Sequence, residues 1–325
     1  MTNKLKYYTR IFSSYTNKDK SSLSFWHEEP KINPKAFDSN SDEFYMTFHD
    51  KALYKGPFDD NGVPMLDYRG DIGKQYNPIA IAQYGLGCFN EYRKESDNKY
   101  KEKFLKSSDW LADNLEFNNK GLSVWMHHFD WPYFQLLKSP WYSGLAQGQG
   151  LALLARAFKE TGDVKYKNAS DKAFTPLITD VSNGGTRYID SKTSWWIEEY
   201  ITDPPTHILN GFIWALWGVR DYKNMVTDNE QVAELWDKSI NTLKQNIYKF
   251  DCGYWSLYDL AHVSRENPAS TFYHSLHLVQ LDIMYRLTGE EVFKSTMDKW
   301  KKYEASSICR RRAFINKAIF KLTYY

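Results

Sequence analysis

The sequence has little cysteine, almost no net charge and no long apolar run, and each shortage excludes something. Cys88, Cys252 and Cys309 are an odd, widely spaced set with no CxxC pair. Neither a disulfide framework nor a cysteine-ligated zinc site is therefore expected, and a reducing compartment fits. The 42 Lys and Arg against 40 Asp and Glu leave a formal charge of +2, too weak a field to draw the whole chain to nucleic acid or to a membrane surface. No stretch reaches the ~18 apolar residues of a membrane span. The basic start, MTNKLKYYTRIFSSYTNKDK, lacks the uninterrupted apolar run of a secretion signal, which predicts a cytoplasmic location.

Aromatic residues are abundant instead. Phe, Trp and Tyr make up 17% of the 325 residues, and many fall in segments without the periodicity of a core helix. Large aromatics mostly fill cores, but those carried on loops can stack on sugar rings. The length, with 42% hydrophobic residues, predicts one main domain with an N-terminal extension.

Residues 1–75 are polar and weakly periodic, and read as an arm of short strands and turns. The run Asp59, Asp60, Asn61, Gly62 resembles a fragment of a calcium loop but lacks the later acidic ligands, so a turn is expected there. From Pro78 the pattern changes: Ile79, Ile81, Ala82, Gly85, Leu86 and Phe89 recur at three- and four-residue spacing behind a proline suited to a first helical position. The same periodicity predicts helices over 78–95, 99–116, 143–160, 163–178, 205–222, 229–247, 271–288 and 290–304. Short links such as Thr161-Gly162-Asp163 and Thr288-Gly289-Glu290 join them into four antiparallel pairs.

Between pairs run longer links, each with a glycine-led, aromatic, β-prone stretch: GLSVWMHHFDW from Gly121, GGTRYIDSKTSWW from Gly184 and GYWSLYDLAH from Gly253. One supersecondary unit repeated around a ring predicts a mainly α protein, an incomplete α/α toroid over residues 76–308 with short β-hairpins in the inter-pair loops at one end. Residues 309–325, with Arg310, Arg311 and Arg312, read as a basic, solvated tail.

Polar and aromatic side chains gather in those loops: Trp141 and Tyr142 with Gln147 and Gln149; Glu198, Glu199 and Tyr200; Tyr258, Asp259 and His262; and Tyr273, His274 and His277. The strings PIAIAQYGL (78–86), WYSGLAQGQG (141–150), WIEEY (196–200), ILNGF (208–212), LYDLAH (257–262), FYHSLHLVQL (272–281) and KWKKYE (299–304) closely resemble the C-terminal catalytic domain of D-glucuronyl C5-epimerases. The resemblance covers about 230 residues from near Tyr54 and implies an α/α barrel that converts D-glucuronate to L-iduronate within an acidic polysaccharide. It places the family's catalytic glutamate and tyrosines on Glu199, Tyr200, Tyr258 and Tyr273. At the family's arginine this chain has Ala261.

The chemistry can be reasoned from the residues themselves. A C5 hydrogen alpha to a uronate carboxylate is weakly acidic, so inversion needs a base on one face, a proton donor on the other, and stabilisation of an enolate-like intermediate. Glu199 and Tyr273 are expected to be the acid/base pair, Tyr258 to support proton transfer or the developing charge, and Tyr200 to position the sugar. Substrate contacts are expected from Trp141, Tyr142, Gln147, Gln149, Arg187, Trp196, Asn210, His262, Arg265 and His274, with His262, Arg265 or Arg187 standing in for the missing arginine. For Gln147, Gln149 and Asn210, packing or capping is an equal reading. Glu198 reads as a solvated neighbour of Glu199 or as an alternate for it. His274 and His277, at i, i+3 spacing, read as hydrogen-bonding residues of a helix face.

Neither a metal nor a cofactor is required by this scheme. The expected partner is an acidic polysaccharide or oligosaccharide, not nucleic acid or membrane, and a second copy of the chain is expected to complete a homodimer. Three other functions stay open. A polysaccharide lyase removes the same proton and expels the C4 oxygen. An inverting glycoside hydrolase would pair Glu199 with Asp259 or Asp130. A non-catalytic glycan-binding module needs neither.

Overall fold

A computed structural model of the chain describes residues 25–226 and 228–324. Eight helices follow one another as pairs: α1 (Pro78–Glu95) with α2 (Asn98–Asp113), α3 (Gly144–Thr161) with α4 (Val164–Ile178), α5 (Leu209–Met225) with α6 (Glu230–Asn246), and α7 (Thr271–Thr288) with α8 (Glu291–Ala305). Fourteen of the 18 residues of α1, and fourteen of the 18 of α3, are buried, against 4 of 16 in α2. The first helix of each pair is thus an inner wall, and the second an amphipathic outer one. This is the α/α toroid that the repeat spacing predicts.

Local chemistry sets the ends of these helices. Asn77 accepts from the backbone N–H groups of Ile79 and Ala80 ahead of Pro78, and Ser143 Oγ accepts from Ala146. Gly162 and Gly289 close α3 and α7 in the left-handed conformation that glycine adopts without penalty. Two helices differ from the periodicity for visible reasons. Helix α2 ends at Asp113 because Glu116–Phe117 pairs with Ser123–Val124 as a two-residue ladder. Helix α5 begins at Leu209 rather than 205 because the preceding strap is claimed by other partners: Thr206 accepts from Leu260, and Leu209 donates to Tyr258.

The inner helices meet closely where side chains are missing. A methyl on Gly218 of α5 would come within 1.8 Å of the Gly148 carbonyl oxygen of α3, so these two backbones pack directly. The inter-pair loops carry short antiparallel ladders, Met126–His127 with Trp141–Tyr142 and Arg187–Ile189 with Trp195–Ile197.

The segment read as a basic tail forms instead a further helix, α9 (Ser307–Tyr324). Its apolar residues explain the docking: Phe320 is buried with its ring 5.9 Å from that of Phe134, and Ala313 is buried beside Tyr254 and Trp255. Of the arginine run, Arg312 lies over the Tyr254 ring at 4.0 Å. The Asp59 run is a turn, its carboxylate accepting from the N–H groups of Asn61 and Val63. Among the described residues no helix is long and apolar enough to cross a membrane.

Candidate active site

All four inner helices send first-turn residues to one cavity of about 150 Å³. Ile79 begins α1, Leu145 α3 and Asn210 α5, and Tyr273 sits in the first turn of α7 with its N–H held by Ser270 Oγ. Helix N-termini carry partial positive charge, so their convergence favours an anion. The rest of the wall is aromatic and polar: Glu199, Tyr200, Trp141, Phe129, Trp131 and Trp214, and from the N-terminal arm Trp26, His27 and Tyr68.

Glu199 follows the Trp195–Ile197 strand and is buried. Its backbone neighbour is pinned twice: Glu198 N–H donates to Thr186, and Glu198 C=O accepts from Gly144. The two side chains diverge. Glu198 is not solvated; it is buried and bound to His207, with Oε1 at 2.5 Å from Nδ1 and Oε2 accepting the His207 N–H. Glu199 turns over Gly211 at the start of α5, where a methyl would stand 2.1 Å from Oε2, so only glycine leaves room for this carboxyl. Burial pushes its pKa up to about 8, with the Asp259 and Glu198 charges adding and the Tyr200 phenol opposing.

The three tyrosines cluster about it. Tyr258 and Tyr273 meet edge to face at 4.8 Å, and Tyr200 lies 5.6 Å from Trp141 and 4.8 Å from Tyr133. Burial raises all three phenols, and the Glu199 charge raises each further. Tyr258 is fixed through its backbone, donating to Asn267 and accepting from Leu209. Trp141 is fixed by stacking on His127 at 3.9 Å and by donating Nε1–H to Phe129 C=O.

Three buried polar atoms of the cavity wall, Glu199 Oε2, Asn210 Oδ1 and Trp214 Nε1, have no hydrogen-bond partner among the described residues. Buried polar groups are nearly always paired, so these three are donors and acceptors that hydroxyl or carboxyl groups in the cavity could meet.

Of the expected residues, Glu199, Tyr200, Tyr273, Trp141 and Asn210 line the cavity, and Tyr258 packs behind Tyr273. The others sit elsewhere. Gln147 is a core residue that joins Trp125 N–H to Ala173 C=O, and Gln149 is fully buried within α3. Tyr142 stands in its ladder beside Met126, outside the wall. Trp196 is buried and stacked on His207 at 4.3 Å. Arg187 is committed to Asp180 at 2.8 Å and lies over the Trp195 ring. His262 and Arg265 are exposed on the loop. His274 and His277 both direct Nδ1 to Ser256 Oγ, at 2.8 and 2.9 Å, and His274 stacks on Trp255. Among the described residues no group of three or more His, Cys, Asp or Glu is placed to hold a metal ion.

Residues that sequence reasoning missed are Trp26, His27, Tyr68, Asn77, Phe129, Trp131 and Trp214. Phe129 and Trp131 stood within the glycine-led aromatic stretch from Gly121, which was the available signal.

A family model described as the D-glucuronyl C5-epimerase C-terminus matches residues 118–302. An uncharacterized protein of Methanocaldococcus jannaschii is 30% identical over 71% of this chain and 78% of its own length. A D-glucuronyl C5-epimerase of Caenorhabditis elegans is 32% identical over 61% of this chain, and the match spans 34% of that enzyme. Among solved structures, a polysaccharide lyase aligns with TM-score 0.47 and 12% identity over 94% of this chain and 72% of its own. A glycoside hydrolase family 76 mannosidase from Bacteroides thetaiotaomicron aligns with TM-score 0.46 and 10% identity over 73% of this chain and 60% of its own. The protein is thus an α/α toroid with a buried carboxyl and tyrosine cluster at its loop end. It belongs to the D-glucuronyl C5-epimerase C-terminal family.

Proposed function

We propose that the chain inverts C5 of a uronate residue within an acidic polysaccharide, D-glucuronate to L-iduronate in type. The observation that carries this reading is a single buried carboxyl, Glu199, with its pKa raised to about 8, facing a cavity that also holds tyrosine phenols. A group poised near neutrality is suited to take and return one proton, where a surface carboxylate is far too weak a base.

The reaction would begin with the sugar stacked on Trp141 and its hydroxyls meeting Asn210 and Trp214. Glu199, as the carboxylate, takes the C5 proton, and the C–H electron pair moves into the substrate carboxylate to give an enolate-like dianion. The converging helix N-termini stabilise that charge. Tyr273 gives its phenolic proton to the opposite face of C5. Tyr258, against the Tyr273 ring, shares the charge left on the phenolate, and Tyr200 orients the ring. Reversal of the roles carries the reaction backward.

A hydrolase is less well supported, because among the described residues the cavity wall holds no carboxylate besides Glu199. Asp130 is exposed and paired with Lys138 at 2.6 Å. Asp259 is saturated by Tyr133, Asn267 and the Ala261 N–H.

The test is NMR of uronate polymers incubated with the chain in deuterium oxide. Deuterium should enter C5 with the chain length unchanged, and Glu199→Gln and Tyr273→Phe should each lose about 100-fold or more of the exchange rate. An unsaturated uronate product would replace the proposal with a lyase. Exchange indifferent to both substitutions would remove the site from the mechanism.

A further inference from the structure

A uronate brings one carboxylate into the cavity, and the electron pair released from C5 adds a second negative charge to it. None of the described side chains lining the cavity is a lysine or an arginine. Position 261, where the family resemblance expects an arginine, is alanine; Arg187 is engaged with Asp180, and Arg265 stands exposed on the loop. Dipoles of helix N-termini supply partial charges only.

One ammonium lies beside Tyr258. Lys317, midway along α9, has Nζ 5.6 Å from the centre of the Tyr258 ring. It donates to Asn267 Oδ1 at 2.6 Å. Asn267 Nδ2 donates in turn to Asp259 Oδ2 at 2.7 Å, and the Ala261 N–H donates to the other oxygen of the same carboxylate at 3.3 Å. Lys317 therefore reaches, from the far end of the chain, the network to which position 261 belongs. It meets Asp259 through Asn267 rather than in a direct ion pair.

A cation held this way is short of negative charge. Burial depresses its pKa to about 7, the Lys321 charge adding and the Asp259 charge opposing. A lysine whose purpose was to clip α9 down would gain more from a direct pair. Its long stem, by contrast, lets the ammonium swing from Asn267 toward an incoming carboxylate past Tyr258.

We infer that Lys317 holds the uronate carboxylate of the substrate, taking from the C-terminal helix the part of the arginine missing at position 261. This rests on the C5-epimerase reading above. It gives α9, which does not line the cavity itself, a part in the site through Tyr258.

The test uses the full chain and Lys317→Gln, which keeps an N–H donor for Asn267 while removing the charge. KM for a glucuronate polymer in the deuterium-exchange assay is expected to rise about tenfold or more with kcat changed less. Restoring a cation, by Lys317→Arg or by adding Ala261→Arg to Lys317→Gln, should recover at least part of that loss. An unchanged KM overturns the inference, as does a raised KM that neither arginine recovers, since that is the behaviour of a helix clip. Where the native chain exchanges no deuterium, the epimerase reading fails by itself. The lysine is then judged by titrating the same polymer against native and Lys317→Gln protein: equal affinity overturns it, and affinity lost with the charge and recovered with arginine upholds it.

Discussion

At the scale of single residues, Glu199 concentrates the cost and the use of the site. A carboxyl whose folded pKa is raised keeps its proton in the native state at pH values where the unfolded chain has lost it. Its contribution to stability is full below about 4.5, declines as pH rises, and is lost above about 8. Glu199→Gln, which is neutral throughout, should therefore gain in Tm over the native chain as pH is raised from 5 to 8. The relative gain should be of the order of a few kcal/mol. Thermal unfolding of both proteins across that range measures it, and a gap independent of pH would show that Glu199 is not buried as a neutral acid. For the native chain, kcat/KM should rise with pH as the Glu199 base form appears and level or fall above about 7 as Lys317 loses its charge.

Gly211 is the second residue on which the site turns. In the sequence it is one residue of the ILNGF string inside the helix expected over 205–222, yet its lack of a side chain makes the seat for Glu199. Gly211→Ala should lower the exchange rate by about tenfold or more, because a displaced base loses alignment steeply. Circular dichroism should show the helices intact. An alanine variant of native activity would mean that the Glu199 carboxyl has another seat.

Among elements, packing decides what the sequence discloses. The inner helices are legible because proline, asparagine and serine mark their starts, glycine marks two of their ends, and apolar residues recur between. The same legibility hides function. Trp214 and Asn210 sit on a helix buried on nearly every side, so Trp214 reads as core although it lines the cavity and its indole N–H has no partner among the described residues. Gln147, polar beside aromatics, reads equally as a sugar ligand or a packing residue, and in the fold its amide joins backbone groups of loop and helix. Helix α9 went unread because its arginines and lysines mask an apolar stripe, of which Phe320 is buried while Phe314 and Ile315 stay exposed. The close crossing of α3 and α5 yields a stability prediction. Gly218→Ala would force a methyl into the Gly148 carbonyl and should cost about 1 to 3 kcal/mol, read as a lower denaturation midpoint with an unchanged slope.

For the whole molecule, the site is a product of long-range assembly. Periodicity reveals the ring, and motif resemblance points to Glu199 and the tyrosines, but no local pattern connects Trp26, His27 and Tyr68 to the cavity they line. Those residues lie in a segment without helical period, and only the closed fold brings them to the first turns of α1, α3, α5 and α7.

That breadth has a consequence for the making of the protein. The cavity wall and the lysine near it draw on positions from Trp26 to Lys317, so the growing chain completes the last of its eight paired helices, at Ala305, before it holds a complete site. While position 317 is still inside the ribosome, the nascent ring has its acid and its tyrosines but not the cation assigned to the uronate. A polymer meeting the chain before position 317 has emerged would in this sense find the carboxyl and the tyrosines without the cation proposed for its charge.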